Sequence, residues 1–261
     1  MKRTIRTHAA LAAALGLAGA CERDEVVTRP DWSQTPSEKQ MGDSYPLFAS
    51  LMRTPGAVHM DCLGTAEGRL TDCTVSGVAP SGLGFEAAGL ALTPEFRLKP
   101  ATVNGQAVAK RVMFIIHFTP GEDPPLAPYT GPAPSPEVVE ASRRAIDDSM
   151  DRWVDDVLAM DLQVDADRRT AATDILRRAL KATQVDRKAV EGLGLARALT
   201  PAQQRDVADG RPPRGPLPTR EQILAASPER VALAERTEAQ LRREYCAAYS
   251  CDRPASPPTS D

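Results

Sequence analysis

Five cysteines are the side chains of this sequence that could do chemistry most directly. They occur as a lone residue and two close pairs: Cys21, Cys62 with Cys73, and Cys246 with Cys251. Thiols can hold a metal ion, act as redox or nucleophilic groups, or join as disulfides. Zinc needs four converging ligands, neither pair has Cys-x-x-Cys spacing, and beyond residue 20 the chain adds only His59 and His117. We therefore expect two local disulfides and no metal or cofactor.

The stretch DCLGTAEGRLTDC places the first pair on a predicted hairpin. Apolar and polar residues alternate over 58–63 and again over 70–78, which is the period of a strand. A four-residue loop at 66–69 would set Cys62 directly opposite Cys73 in a non-hydrogen-bonded pair, where facing side chains lie closest. Closing this short loop would stabilise the fold by about 2–3 kcal/mol.

The second pair lies in the stretch YCAAYSC near the end of the chain. Cys246 and Cys251 could close a small loop where a helix ends. This pairing requires the last turn of the helix to unwind.

The first 20 residues predict an export signal. Lys2, Arg3 and Arg6 form a basic start, and Ala9–Ala20 is an apolar run that ends in small residues. These features favour a cleaved signal peptide over a buried helix at the start of a cytosolic domain. Twelve residues are also too few for a membrane span, which needs about 20. Two disulfides agree with an exported protein, and we predict a periplasmic location.

Cys21 lies where a bacterial lipoprotein carries its lipid. Lipoprotein signals usually place Leu three residues before this cysteine, whereas Leu17 stands four residues before it. Ordinary cleavage after Ala20 is therefore the alternative. We favour lipidation of Cys21, and thus attachment to a membrane, because a free cysteine at a mature N-terminus would be reactive in an oxidising compartment.

The charge balance gives no reason to expect nucleic acid as a partner. The formal net charge is −3, and removal of residues 1–20 would take away three positive charges and leave −6. Asp147-Asp148 and Asp155-Asp156 are adjacent carboxylates, but they fall on the polar side of a predicted amphipathic helix. The sequence shows no nucleophile–base pair and no glycine-rich phosphate loop. We predict no catalytic residue and no enzyme activity.

Proline-rich and polar stretches divide the chain after the signal segment. We predict a polar tether over 21–30, a compact unit over 31–119, a linker over 120–135, a helical region over 136–252 and a tail over 253–261. The linker region is the clearest boundary, since residues 120–136 contain seven prolines and favour an extended chain. Strands followed by helices place the protein in the α+β class.

The region after the linker carries helix-start signals and helical periodicity. Ser135-Pro136 is typical of an N-cap followed by proline at the first helical position. One apolar stripe comprises Val139, Ile146, Met150, Trp153, Val157 and Met160. We predict further helices over about 165–182 and 227–249. Thr200 with Gln203, and Thr219 with Gln222, have capping-box spacing.

Several short motifs follow one another through residues 31–119. They are Tyr45-Pro46 with Ala49, Gly68 in a turn, Gly84-Phe85-Glu86-Ala87-Ala88 with Leu90, Phe96-Arg97 with Lys99-Pro100, Asn104-Gly105, and a final strand over Val112–Phe118. In this order they resemble the C-terminal domain of the TonB family, the periplasmic energy transducers of Gram-negative bacteria. The resemblance covers about a third of the chain and implies a three-stranded antiparallel sheet packed with helices.

The resemblance also implies a function. TonB-family domains pair their last strand with a short peptide of an outer-membrane transport receptor, which is β-strand addition. Carried onto this chain, it implies partner contacts by Phe114 and Ile116 on the last strand and by Lys110 and Arg111 at its edge. The alternative is a strand that only completes the core, since exposed edges are normally protected. The family also has a membrane anchor and ends at this domain, whereas here we predict no membrane-spanning anchor and a helical region follows.

A second hypothesis rests on the helical region. The stretch LTPAQQ, residues 199–204, is similar to a motif of Spy-type periplasmic chaperones and occurs once. It would make the protein a periplasmic scaffold or chaperone-like lipoprotein. An ordinary capped helix start explains the same residues.

Overall fold

The computed structural model describes residues 26–121, 126–249 and 251. The predicted signal segment 1–20, Cys21 and the predicted tail 253–261 lie outside these residues. The strands are β1 (Val27–Thr28), β2 (Asp31–Gln34), β3 (Gly56–Gly64), β4 (Leu70–Ala79), β5 (Arg97–Lys99), β6 (Ala101–Val103), β7 (Gln106–Val108) and β8 (Lys110–Phe118). The helices are α1 (Glu38–Asp43), α2 (Leu47–Leu51), α3 (Phe85–Leu92), α4 (Pro136–Ala159), α5 (Arg169–Ala198), α6 (Pro201–Ala208), α7 (Arg220–Ala225) and α8 (Arg230–Tyr249). The α+β class is confirmed.

The main sheet is antiparallel, with strand order β4-β3-β8. Alternate residues of β3 are buried, from Gly56 to Gly64, as the two-residue period requires. Their side chains face α2 and α3, and the buried rings of Phe48, Phe85 and Phe118 fill the space between these layers. The sheet therefore has one covered face and one face on the surface.

The β3–β4 hairpin contains the first cysteine pair. Its turn comprises residues 65–69, one more than predicted, and β4 has an extra residue at Asp72. The extra residue returns Cys73 to a position opposite Cys62. The two sulfurs are 2.12 Å apart, which is compatible with the predicted disulfide.

Two smaller sheets hold the N-terminal part of the described chain. Val27 and Thr28 of β1 pair with Val103 and Thr102 of β6, and β2 pairs with β5. Residues 27–28 fall within the predicted tether, yet they are part of the fold. The hairpin β6–β7 turns at Asn104-Gly105, where both residues have positive φ angles, as this dipeptide predicts.

The turn between β4 and α3 depends on Gly84. Its φ of 79° is in the left-handed region, and a Cβ there would overlap the carbonyl oxygen of Gln163. Only glycine accepts both the backbone conformation and this close approach. The glycine therefore shapes the start of α3 and also lets a segment of the helical region lie against it.

The helical region follows its sequence signals at the helix starts. Ser135 is the N-cap of α4, and Thr200 and Thr219 form capping boxes with Gln203 and Gln222. Helix α5 is much longer than predicted and continues to Ala198. The second cysteine pair lies just where α8 ends, with the Cys246 and Cys251 sulfurs 2.08 Å apart. No helix within the described ranges is both long and apolar enough to cross a bilayer.

The helical region and the sheet region share one hydrophobic core. Tyr245 of α8 is buried and packs edge-on against Phe48 of α2, with ring centroids 5.3 Å apart. The Phe48 amide donates to the Leu162 carbonyl at 3.1 Å, and the Arg242 guanidinium donates to the Met52 carbonyl at 2.7 Å. Because polar and apolar contacts both join the two regions, the described chain behaves as one packed unit.

Candidate peptide-binding edge

Strand β8 is a regular strand at one edge of the main sheet. It pairs with β3 at nine consecutive positions, from Gly56 with Phe118 to Gly64 with Lys110, and the register never shifts. Among residues 26–121, 126–249 and 251, no second strand pairs with β8. One of its long edges is therefore unpaired within the described chain.

Hydrogen bonds in the hairpin show which β8 residues turn their backbone groups outward. The Thr65 amide donates to the Arg69 carbonyl, and the Ser76 hydroxyl donates to the His59 carbonyl, so odd-numbered residues of β3 point towards β4. Backbone groups of a strand alternate between its edges, so the even-numbered residues of β3 point towards β8. They pair with even-numbered residues of β8, as Met60 does with Phe114. The backbone groups of the odd-numbered β8 residues therefore point to the free edge.

The same odd-numbered residues carry the exposed apolar side chains of the strand. Met113 is 74% exposed and Ile115 is 44% exposed, on the outer face of the sheet. Backbone and side-chain groups suited to a partner thus occur together at these two positions. They are candidate contact residues that the sequence analysis did not select, although the two-residue alternation already placed them on the face opposite Phe114.

The predicted contact residues Phe114 and Ile116 face inwards. The Phe114 ring packs against Trp32 and Phe96, with ring centroids 4.9 and 5.2 Å away, and Ile116 is only 4% exposed. Their side chains support the fold. A strand added along the free edge of β8 would lie beside these two side chains and would not cover them.

The two predicted cationic residues mark the start of β8 but differ in their contacts. Arg111 is held over the outer face by Asp61, whose carboxylate lies 2.8 Å from its guanidinium. Lys110 is exposed and has no ion pair in the part of the chain that the structure describes. The structure thus brings Lys110 and Arg111 to one end of the free edge.

A cleft of about 520 Å³ adjoins the first half of this edge. It lies between β8 and the segment Arg29–Trp32. Its lining includes the apolar side chains of Trp32, Leu98 and Met113 and the charged side chains of Asp31, Lys110 and Arg111. The cleft offers space and an apolar surface to a chain lying along the strand.

A second cleft of about 700 Å³ lies at the other end of β8, beside His117 and Phe118. Tyr45 lines it, and burial raises the pKa of this phenol to about 12 against the opposing effect of Arg53. The hydroxyl therefore stays neutral and donates to the Thr54 carbonyl at 2.7 Å. Through this hydrogen bond Tyr45 has a structural role in the cleft.

The chaperone-like stretch, residues 199–204, makes structural contacts within the helical region. Leu199 is buried, and Gln203 closes the capping box while its amide donates to the carbonyls of Arg214 and Pro216. Next to it, hydrogen bonds from Arg214 and Arg211 lower the pKa of Asp206 to about 2. These contacts fix the loop after α6, and the large apolar side chain of the motif, Leu199, is turned into the core.

The described residues do not bring the other candidate catalytic side chains together in one site. Asp147 pairs with Lys188 and Arg143, which places it in a helix–helix contact. No group of three or more His, Cys, Asp or Glu side chains in these ranges could hold a metal ion.

Comparison with known proteins adds no family. No protein-family model matches the sequence, and no curated protein matches it significantly.

Proposed function

We propose that this protein is a TonB-like periplasmic adaptor in outer-membrane transport, which binds an extended peptide of a receptor along the free edge of β8. The observation that carries the proposal is the regular, unpaired edge of nine residues. Edge strands are normally blunted by bulges, prolines or charges, because they attract other chains. A long edge left regular, with exposed Met113 and Ile115, is suited to pairing.

The arrangement supports recognition at two levels. Outward backbone groups at positions 111, 113, 115 and 117 would supply the affinity of strand addition, which is independent of sequence. Side chains add selectivity, because a peptide residue beside Met113 or Ile115 lies on an apolar surface and one beside Lys110 meets a cation. We expect an extended receptor segment with apolar residues at alternate positions.

The proposed location rests on the sequence. The basic and apolar N-terminal segment favours export, and disulfides form and persist mainly in oxidising compartments. Lipidation of Cys21 would hold the adaptor at a membrane surface, and the resemblance of residues 31–119 to the TonB family supports an outer-membrane receptor as the partner. The disulfide-linked hairpin would then stiffen the strand that β8 pairs with.

The test is photo-crosslinking in cells from a light-activated amino acid at position 113 or 115. We expect capture of an outer-membrane receptor, with the link located by mass spectrometry in an extended segment of that receptor. Position 185 on α5 is the matched control, because Val185 is 79% exposed and lies outside the sheet. Equal capture from positions 113 and 185, or capture of nothing but this chain itself, would overturn the proposal.

A further inference from the structure

The only two histidines beyond residue 20, His59 and His117, come together on the outer face of the main sheet. His59 lies on β3 opposite Ile115 of β8, and His117 lies on β8 opposite Ala57 of β3. The two histidines are therefore diagonal neighbours on adjacent strands. Their side chains share one face because residues two apart on a strand point the same way. Diagonal neighbours have Cα atoms about 7–8 Å apart.

The surroundings leave room between the two imidazole rings. Ala57 faces His117 across the strands, and Gly77 faces His59 from β4. Both of these residues are small, and Ile115 is the larger apolar side chain that lies beside both rings. His117 is exposed and His59 is partly exposed. Both rings can therefore be reached from solvent and can turn towards one point above the sheet.

Two imidazoles at this spacing are suited to one divalent ion of a first-row transition metal. Imidazole nitrogen is a ligand for copper, zinc and nickel, whereas Mg²⁺ and Ca²⁺ take oxygen ligands. Zinc–nitrogen bonds are about 2.0–2.1 Å long, so two rings on diagonal neighbours can reach one ion between them. The next outward residue of β3, Asp61, is held by Arg111 at 2.8 Å. The two histidines are thus the ligands that the sheet supplies.

We infer that His59 and His117 together bind one Cu²⁺ or Zn²⁺ ion on the outer face of the sheet. Resident zinc sites have three or four protein ligands. A site with two leaves the other coordination positions to water or to a ligand from another molecule, so the ion exchanges. The sequence analysis expected no metal because it considered only sites with four ligands. The bound ion bridges β3 and β8, and the site does not depend on the proposed peptide partner.

Copper binding is the first test. The untagged chain from residue 21, with Cys21→Ser, contains no other imidazole and is titrated with Cu²⁺ at neutral pH. We expect one ion per chain, with two nitrogen ligands in its electron paramagnetic resonance spectrum. His59→Ala and His117→Ala should each weaken binding by at least about tenfold, since even the loss of a group that only orients a metal ligand costs about 10–100-fold. Ile115→Ala, beside both rings, should keep the affinity of the parent.

Three results of this titration overturn the inference. The first is two ions per chain, of which each histidine substitution removes one, because the rings would then bind separately. The second is unchanged affinity in both histidine variants. The third is an affinity that rises with protein concentration, because the two ligands would then come from different chains.

Moving one histidine tests the register. Met113 is the diagonal neighbour of His59 on the other side of Ile115. The His117→Ala protein should regain most of its copper binding when Met113→His is added. Val185→His is the matched control, because Val185 is exposed to a similar extent but lies on α5. Equal recovery with both additions, or recovery with neither, overturns the placement of the ion between neighbouring strands.

Zinc tests the bridge between the strands. An ion that binds the folded chain stabilises it by mass action. Zn²⁺ at about a hundred times its dissociation constant should raise the unfolding temperature of the parent by about 5 °C or more and that of His59→Ala by less than about 1 °C. An equal rise in both proteins would place zinc elsewhere and overturn the inference. Receptor capture from positions 113 and 115 tests the proposed function separately.

Discussion

The two outer strands of the main sheet, β4 and β8, differ in the regularity of their backbones and in the side chains that they expose. Strand β4 has extra residues at Asp72 and Ser76, and its hydroxyl side chains bond back to β3 carbonyls. Strand β8 has no shift in nine positions and exposes Met113 and Ile115. Bulges twist an edge away from neighbouring chains. Within the described residues, this sheet is therefore protected along β4 and left regular along β8, which is why we propose that a partner binds at β8.

The largest expected effect comes from proline at two neighbouring positions of β8. Phe114→Pro removes a ladder hydrogen bond to β3 and the ring that packs on Trp32 and Phe96, so we expect the free energy of unfolding to fall by about 3 kcal/mol or more. Ile115→Pro removes an amide that points to the free edge and should lower it by only about 1 kcal/mol. Urea denaturation followed by circular dichroism measures both.

The critical result is whether Ile115→Pro lowers the free energy of unfolding by less than Phe114→Pro does. If Ile115→Pro destabilises the protein as much as Phe114→Pro, the Ile115 amide is already bonded within the fold and the edge is not free. A folded Ile115→Pro protein should also lose its receptor partner, while its sheet remains.

The disulfide between β3 and β4 gives the next effect. Replacing both Cys62 and Cys73 by Ala should lower the free energy of unfolding by about 2–3 kcal/mol, because the unfolded chain regains the freedom of the loop. The bridge joins β3 to β4 only. Hydrogen exchange should therefore speed up more in β4 than in the β8 amides that face β3.

The second disulfide is the matched control. Replacing Cys246 and Cys251 opens a loop at the end of α8, far along the chain from the hairpin. The relative hydrogen-exchange rates of β4 and β8 should then stay as they are in the parent protein. Equal acceleration of exchange in β4 and β8 after loss of the Cys62–Cys73 bridge would show that the two edges do not differ in stability.

Local signals in the sequence predicted much of this architecture. The Asn104-Gly105 turn, the two predicted capping boxes and the helix start at Pro136 all occur where short-range chemistry places them. Each needs only a few neighbouring residues to form. The face of each β8 residue also followed from strand alternation.

Long-range packing set what the sequence did not reveal. Helix α5 continues through Gly192 and Gly194, which weaken a helix in isolation, because Gly192 lies against the Arg143 backbone and Gly194 against Ser227. The predicted end at residue 182 was wrong for this reason. The shared core and the inward packing of Phe114 likewise depend on partners distant in sequence, such as Trp32 and Tyr245.

The bulge at Asp72 gives a smaller effect. Its φ of 47° is in the left-handed region, where a β-branched side chain is strained. Asp72→Val should lower the free energy of unfolding by about 1–2 kcal/mol, whereas Asp72→Gly should stay within about 0.5 kcal/mol of the parent. Both variants remove the carboxylate, so their difference reports the strain of a β-branched residue at positive φ, offset by the greater freedom of glycine in the unfolded chain. Equal values by chemical denaturation would mean that the bulge is relaxed in solution.

The smallest effect on stability carries the most information about function. Met113→Lys and Ile115→Lys replace exposed side chains, so the free energy of unfolding should stay within about 0.5 kcal/mol of the parent. Lysine on an edge strand opposes the addition of another strand, so the receptor partner should be lost from pull-downs. Thr74→Lys places the same charge on β4 and should retain the partner. Loss of the partner with all three variants would move the contact from the β8 edge to the outer face of the whole sheet.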